Sequence, residues 1–448
     1  MQRKFSLYKL TPSQSLLLGF ILIILVGAFL LTLPIASSKG ISQCFIDALF
    51  TATSAVTTTG LVVVDTGSFY SLFGQIVILI LFQIGGLGYM IFIVLIVLGL
   101  GGRLSFGSRL LLRESLKRPT SVDMIKFVKM IVIFAAFFEI VGASLLSFYW
   151  MQYFPVSQAI YTGVFHSVSG FCTAGFGLFS DSLSSYQGSI FLNLVIVVIC
   201  MAGGIGFFVL YDIYGFCGKL FTSQKHHPIS VHTKLALIPS ITLMAIGTGV
   251  IFLAEKGLQL LPLGKGLVSS AFQSISASTT TGFNTINIGA LSSTSLFTII
   301  VLMFIGASPG GTGGGIKTTT FGTMLIFLFS LLTGREDVNI FKKRIPIKTI
   351  NEAFAIGLIS ILWVILSTAI LTSIENTTFL NILFETVSAF GTVGLSTGIT
   401  SNLSIIGKVV LSITMLIGRM GSLVIGFSLI GRPRPVSFRY AEAEILIG

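Results

Sequence analysis

The chain has 448 residues, of which 53% are apolar and only 9% charged, with 40 Phe and 49 Gly and a mean hydropathy of +0.98. Soluble domains carry about 25% charged residues, so a soluble fold is excluded; disorder fails too, because nearly charge-free apolar sequence has no means of staying solvated. The net charge of +12 comes from Lys and Arg dispersed among loops that flank apolar runs, which fits anionic head groups and not a single nucleic-acid-binding stripe.

Residues 1–13 are polar and mildly basic. The apolar run after them is too long for a signal peptide and lacks a small-residue cleavage site, so a retained helix is expected. Stretches without Asp, Glu, Lys or Arg cover 10–38, 66–102, 140–180, 182–211, 235–254, 266–316, 318–334, 353–374 and 386–407. Since a crossing takes about 20 apolar residues, they predict spans at 14–36 and 69–99, 125–150 and 187–216, 232–254 and 293–332, 350–373 and 404–430. Inside each pair lies a shorter helical pattern, at 43–56, 158–171, 265–278 and 378–391. These are too short to cross and read as re-entrant helices.

Each short helix runs into a related sequence: Ser54-Ala-Val-Thr-Thr-Thr-Gly-Leu61, Ser169-Gly-Phe-Cys-Thr-Ala-Gly-Phe176, Ser276-Ala-Ser-Thr-Thr-Thr-Gly-Phe283 and Ser388-Ala-Phe-Gly-Thr-Val-Gly-Leu395. The glycines Gly60, Gly175, Gly282 and Gly394 follow one another at 115, 107 and 112 residues, an internal repeat that dictates the architecture. The expected fold class is an all-α polytopic membrane protein: four membrane–pore–membrane repeats in pseudo-fourfold arrangement, with eight spanning helices plus four re-entrant pore helices. The repeats are expected at 1–105, 106–220, 221–338 and 339–448.

Twenty-one of the 27 Lys and Arg fall at the N-terminus, in 103–129, 219–234 and 335–348, and at the C-terminus. Only Lys39, Lys256, Lys265 and Lys408 fall in the alternate loops. That bias places both termini in the cytoplasm of a multi-pass plasma (inner) membrane protein, in agreement with an even number of spans. The cysteines Cys44, Cys172, Cys200 and Cys217 share no C-x-x-C spacing and support neither zinc nor a disulfide framework. His226, His227 and His232 read as solvated loop residues rather than metal ligands.

Non-helical backbone at membrane depth is tolerated only where protein buries it or where it lines an aqueous path. Four such loops are therefore expected around one axis, with glycine permitting the positive φ that turns carbonyls inward. A ring of carbonyl oxygens replaces the hydration shell of a cation, and half-helices ending there add their negative C-terminal ends. The loops lack Asp and Glu, which points to a monovalent ion.

In the sixth span, Ser308-Pro-Gly-Gly-Thr-Gly-Gly-Gly-Ile-Lys-Thr-Thr-Thr320 cannot continue a helix, since Gly costs about 1 and Pro about 3 kcal/mol per position. A mobile break is expected. A nucleotide P-loop fails because Ile316 separates Gly315 from Lys317. An ionisable group inside a span is a functional candidate, which singles out Lys317 and Arg419; the rival reading pairs Arg419 with a buried acid such as Glu385 or Glu139. Asp47 and Glu385 are expected to tie half-helices to neighbours. Asp65 and Asp181 follow their glycines on the outer side, either drawing cations to the mouth or simply solvated. With no His-rich, Cys–His or paired-carboxylate constellation, an enzyme is not expected.

The repeat, together with Asp47-Ala-Leu-Phe-Thr-Ala-Thr-Ser54, Thr59-Gly-Leu-Val-Val-Val-Asp65-Thr-Gly67, Gln83-Ile-Gly-Gly-Leu-Gly88, Gly282-Phe-Asn284 and Ser388-Ala-Phe-Gly-Thr-Val-Gly-Leu395, resembles the Trk/Ktr/HKT superfamily of potassium transporters, above all the membrane subunits of bacterial Ktr systems. The resemblance covers essentially the whole chain. It implies a K+ filter at Thr58, Thr59 and Gly60; Thr173, Ala174 and Gly175; Thr280, Thr281 and Gly282; and Thr392, Val393 and Gly394. It further implies an occluding gate loop with Gly310, Gly311, Gly313, Gly314, Gly315 and Lys317, and an Arg beneath the filter, Arg419. Gly60 in the first loop implies potassium, where Ser goes with sodium in plant members. Cys172 departs from the polar amide common in these subunits. The implied assembly is a homodimer docked on a cytoplasmic nucleotide-binding regulatory subunit (KtrA-like), with no covalent cofactor. K+ is the transported ion, with Na+ as a coupling or activating ion in a sodium-coupled or sodium-selective alternative.

Overall fold

The computed structural model describes residues 12–88, 91, 124–220, 229–335 and 337–421. In chain order the helices are α1 (Pro12–Thr32), α2 (Phe45–Val56) and α3 (Leu72–Leu87); α4 (Met124–Trp150), α5 (Val156–Phe171), α6 (Ile190–Gly204) and α7 (Phe207–Leu220); α8 (Val231–Ala254), α9 (Leu263–Ser278), α10 (Ser293–Ile305) and α11 (Thr318–Leu332); and α12 (Ile347–Ile374), α13 (Phe379–Gly391) and α14 (Ile405–Met420). Single-turn helices occupy some of the connections. One two-residue antiparallel strand pair, Asn339–Ile340 with Lys343–Arg344, interrupts the helical pattern among the described residues.

α1, α4, α8 and α12 are long and apolar enough to cross a membrane unbroken. Their exposed faces carry Leu22, Phe29, Phe148, Leu253 and Leu362, the residues expected toward hydrocarbon. α2, α5, α9 and α13 are the short helices predicted from the repeat, and their C-terminal halves are almost wholly buried.

The spans expected as continuous at 69–99 and 187–216 are interrupted, and the same device recurs four times. Each second helix opens on a serine, Ser71, Ser189, Ser292 or Ser404, whose side chain accepts the N–H three residues on, satisfying an orphan donor of the first turn. Each then stops at or just before a glycine of positive φ: Gly88 (+86°), Gly206 (+96°), Gly306 (+69°) and Gly421 (+87°). That backbone cannot continue a right-handed helix. α6 and α7 meet at 103° across the break.

The packing closes on itself. One buried cluster joins α1 to α6 through Phe82, Phe165, Phe171 and Trp150, and a second joins α8 to α14 through Ile299, Met303, Phe384 and Phe390. Phe50, Leu61, Leu371, Leu411 and Met415 seal α2 against α12 and α14, bringing the end of the chain back to its beginning. The basic residues of the N-terminus, of 103–118 and of the C-terminus, together with Lys225, His226 and His227, lie outside the described residues. So do most of 89–99 and the end of 404–430.

Candidate functional site

The four short helices end in the same succession of turns. The N–H groups of Thr58, Thr173, Thr280 and Thr392 reach back to Ala55, Gly170, Ala277 and Ala389 at 3.0–3.2 Å. Those of Thr59, Ala174, Thr281 and Val393 reach the carbonyls of Ser54, Ser169, Ser276 and Ser388 at 2.7–2.9 Å. The four threonines sit at φ of +53°, +50°, +58° and +50°, and the glycines two residues later at +91°, +69°, +87° and +87°. A β-branched residue at positive φ is strained, by about 1–3 kcal/mol each, and only an over-determined surrounding holds four copies of that strain.

The loops form a closed ring. A Cβ added to Gly60 would land on the Ala174 carbonyl, at Gly175 on that of Thr281, at Gly282 on that of Val393 and at Gly394 on that of Thr59. Each glycine is thus required twice, for its φ and for the approach of the next loop. The carbonyls of 58–60, 173–175, 280–282 and 392–394 accept no hydrogen bond from a described residue. Buried carbonyls are nearly always paired, so a ring of free ones is a concentration of acceptors chemically able to replace a cation's hydration shell. The hydroxyls of Thr280 and Thr392 are likewise buried without a partner among the described residues, and four helix C-termini direct their negative ends at the same place.

The Gly-rich break lies directly against one face of this ring. Thr58 Oγ1 donates to the Thr312 carbonyl at 3.1 Å, Thr173 Oγ1 and Thr312 Oγ1 are 3.0 Å apart, and a Cβ on Gly313 or Gly314 would strike the hydroxyl of Thr280 or Thr392. One segment therefore touches all four loops. It is pinned at its other side, where Ser308 N–H and Thr312 N–H donate to Gly204 and Gly203 and Phe207 N–H donates to Gly310. Only Gly310 and Gly315 of its five candidate glycines have positive φ; Gly311, Gly313 and Gly314 are needed for close approach instead, so the segment is packed, not merely loose.

Lys317, itself at φ +86°, curls its ammonium onto the Gly313 and Gly314 carbonyls. Arg419 does not pair with Glu139 or Glu385: its guanidinium donates to the carbonyls of Gly85 and Gly86, at the end of α3. Both cations line a cavity of about 350 Å³ beneath the Gly-rich segment, together with Phe207, Pro309, Phe390 and Met420. The residues lining it include no Asp or Glu.

The acids do structural work nearby. Asp47 on α2 forms an ion pair of 2.7 Å with Lys408 on α14, linking the first and last units. Glu139 accepts from Gln83 Nε2 at 2.9 and 3.2 Å, and Gln83 Oε1 accepts from Cys172 Sγ at 3.0 Å, so the unusual cysteine is tied into a polar chain between α3, α4 and α5. Asp65 and Asp181 accept from Ser68 and from Ser185, each closing a local turn.

The serine that begins each repeated segment fastens its loop. Ser54 and Ser388 accept the glycine N–H of their own loops at 3.0 and 3.1 Å, while Ser169 and Ser276 donate to the carbonyls of Phe176 and Phe283. Thr312 carries little signal in the sequence beyond being a β-branched polar residue inside a glycine run. Gly85, Gly203 and Gly418 each admit the backbone end of a short helix, at Val56, Phe171 and Phe390.

A family model described as a cation transport protein, TrkH, matches residues 20–433. The Ktr system potassium uptake protein B of Bacillus subtilis is 40% identical over 98% of this chain and 97% of its own length. The protein of the same name from Vibrio alginolyticus is 38% identical over 97% and 94%, and the potassium/sodium uptake protein NtpJ of Enterococcus hirae 35% over 98% of both. The crystal structure of the potassium transporter TrkH from Vibrio parahaemolyticus superposes with a TM-score of 0.74 at 18% identity, covering 96% of this chain and 87% of that one. The likeness in fold and the match along nearly the whole sequence agree: this chain belongs to the TrkH family of cation transport proteins.

Proposed function

We propose that the chain is the translocating subunit of a potassium-uptake system. K+ sheds its water at the four-loop ring, where Thr58, Thr59, Gly60, Thr173, Ala174, Gly175, Thr280, Thr281, Gly282, Thr392, Val393 and Gly394 form the filter. It then passes the segment carrying Gly310, Gly311, Gly313, Gly314, Gly315 and Lys317 when that gate withdraws. The observation that carries the reading is the closed ring of buried carbonyls without hydrogen-bond partners, which suits a large, weakly hydrated monovalent cation. An inside-negative potential adds about 2.3 kcal/mol per charge per 100 mV. Arg419 and Lys317 keep the cavity below the ring positive, so cations cross it only while the gate is displaced.

The basic loop after α11, with Arg335, Lys342, Lys343, Arg344 and Lys348, supports a cytoplasmic position for the gate side of a plasma-membrane protein. Relatives named as parts of a Ktr system support a multi-component assembly, which we read as a homodimer on a KtrA-like nucleotide-binding ring. K+ and Na+ flux, measured separately in proteoliposomes, tests the reading: K+ uptake well above Na+ is expected, and equal or reversed rates overturn it. The Enterococcus relative, named for potassium and sodium uptake, favours Na+ as the second ion to assay, as coupling or activating ion.

A further inference from the structure

Three residues before each repeated serine, every short helix carries a polar side chain: Thr51, His166, Gln273 and Glu385. All four are buried, and they stand at one equivalent place behind the ring. Their partners differ. Glu385 gathers three donors from the segment that follows its glycine: the Ser396 hydroxyl, the Thr397 N–H at 3.2 Å and the Thr400 hydroxyl at 3.0 Å. His166 Nε2 accepts the Leu178 N–H at 3.4 Å; Leu178 and Thr397 each lie nine residues after their serines, so the second loop repeats one of the three bonds. Thr51 donates to the Asp47 carbonyl of its own helix and also meets the Tyr70 hydroxyl. Gln273 leaves both amide atoms without a partner among the described residues, and so does the hydroxyl of Thr285, again nine residues after its serine.

We propose that this position is the brace of the filter, and that Glu385 is the positioning residue that fixes the ring's dimensions and thereby its choice among alkali cations. The proposal rests on the filter reading above. Ser396 lies two residues beyond Gly394, so three bonds to one buried carboxyl hold the outer end of the fourth loop. Through Gly394, the fourth loop meets the Thr59 carbonyl on one side, and through Val393 it meets Gly282 on the other. A shift of this loop therefore changes both of its neighbours' distances to the axis. Among the described residues the first and third loops have no carboxyl at this position, and Asn284, two residues beyond Gly282, is held by the Ser182 hydroxyl instead, so the ring is braced most firmly at the fourth quadrant and less firmly at the two that flank it.

The test is K+, Rb+ and Na+ flux through purified protein in proteoliposomes. Glu385→Leu should lower the K+/Na+ rate ratio about tenfold, the factor given by ~1.4 kcal/mol of differential ion stabilisation, with total flux retained. Should Glu385→Leu fail to fold, Ser396→Ala with Thr400→Val removes two donors from the far side and should lower the ratio in the same direction, by less. Thr386→Val, which deletes a hydroxyl bonded only to Ile382 of its own helix, should leave the ratio unchanged, whereas a purely structural effect would move it as much as Glu385→Leu. Gly394→Ser separates the two readings: if it alters selectivity while Glu385→Leu does not, the brace is refuted and the filter stands, and if neither alters it, the filter reading falls first.

Discussion

At the scale of single residues, glycine and charge do opposite kinds of work. Gly60 is held at φ +91° with the Ala174 carbonyl where a Cβ would stand, so Gly60→Ser both strains the loop and pushes its neighbour outward. Its K+/Na+ flux ratio is expected to fall about tenfold, a change of ~1.4 kcal/mol, and an unaltered ratio would count against the filter. Glu255, capping the end of α8, shows how the loops between helices are fastened. Partial burial alone would raise its carboxyl, but hydrogen bonds from Ser295 and Ser292 outweigh that and hold it below the ordinary value of 4.5. A lowered folded value means that the stabilisation is present above pH 4.5 and is lost as pH falls through the folded value. Glu255→Gln should therefore melt below the parent at neutral pH in detergent, with the difference closing as the pH drops below 4.5.

At the scale of elements, the proposed function makes the Gly-rich segment between α10 and α11 a plug with a latch. Thr312 and its flanking glycines meet all four loops, while Lys317 folds back on the carbonyls of Gly313 and Gly314. Hydrogen bonds from a charged donor contribute about 1.5–3 kcal/mol, enough to bias the closed arrangement. Lys317→Met should raise basal K+ flux by about tenfold, and deletion of Gly310 to Gly315 should raise it further; conductance at or below the parent's in both would refute a blocking role. The second helices teach a related lesson. Their apolar runs extend well past Gly88 and Gly206, so composition alone argued for unbroken spans, yet one residue of positive φ ends each helix and frees carbonyls such as those of Gly85 and Gly86 for Arg419.

For the whole molecule, the decisive feature is that four units of one chain close into a ring, and closure needs a joint between the last unit and the first. The Asp47–Lys408 pair at 2.7 Å, with side chains 24% and 12% exposed, supplies the polar part of that joint above the apolar seam of Phe50, Leu411 and Met415. Lys408→Met leaves a partly buried carboxylate without its partner and is expected to cost about 1–3 kcal/mol, read as a lower melting temperature; an unchanged one would show the seam to be apolar only. Apolar run length, periodicity and backbone freedom are local properties of the chain, so the membrane class, the fourfold repeat, the short helices and the glycines at which each loop turns are legible before any folding is considered. Only the tertiary structure decided which loop neighbours which, that the glycine run lies beneath all four, that Arg419 answers carbonyls rather than an acid, and that Asp47 finds Lys408 361 residues away. Those outcomes depend on distances across the ring, which no local pattern encodes: they exist only once all four units have packed.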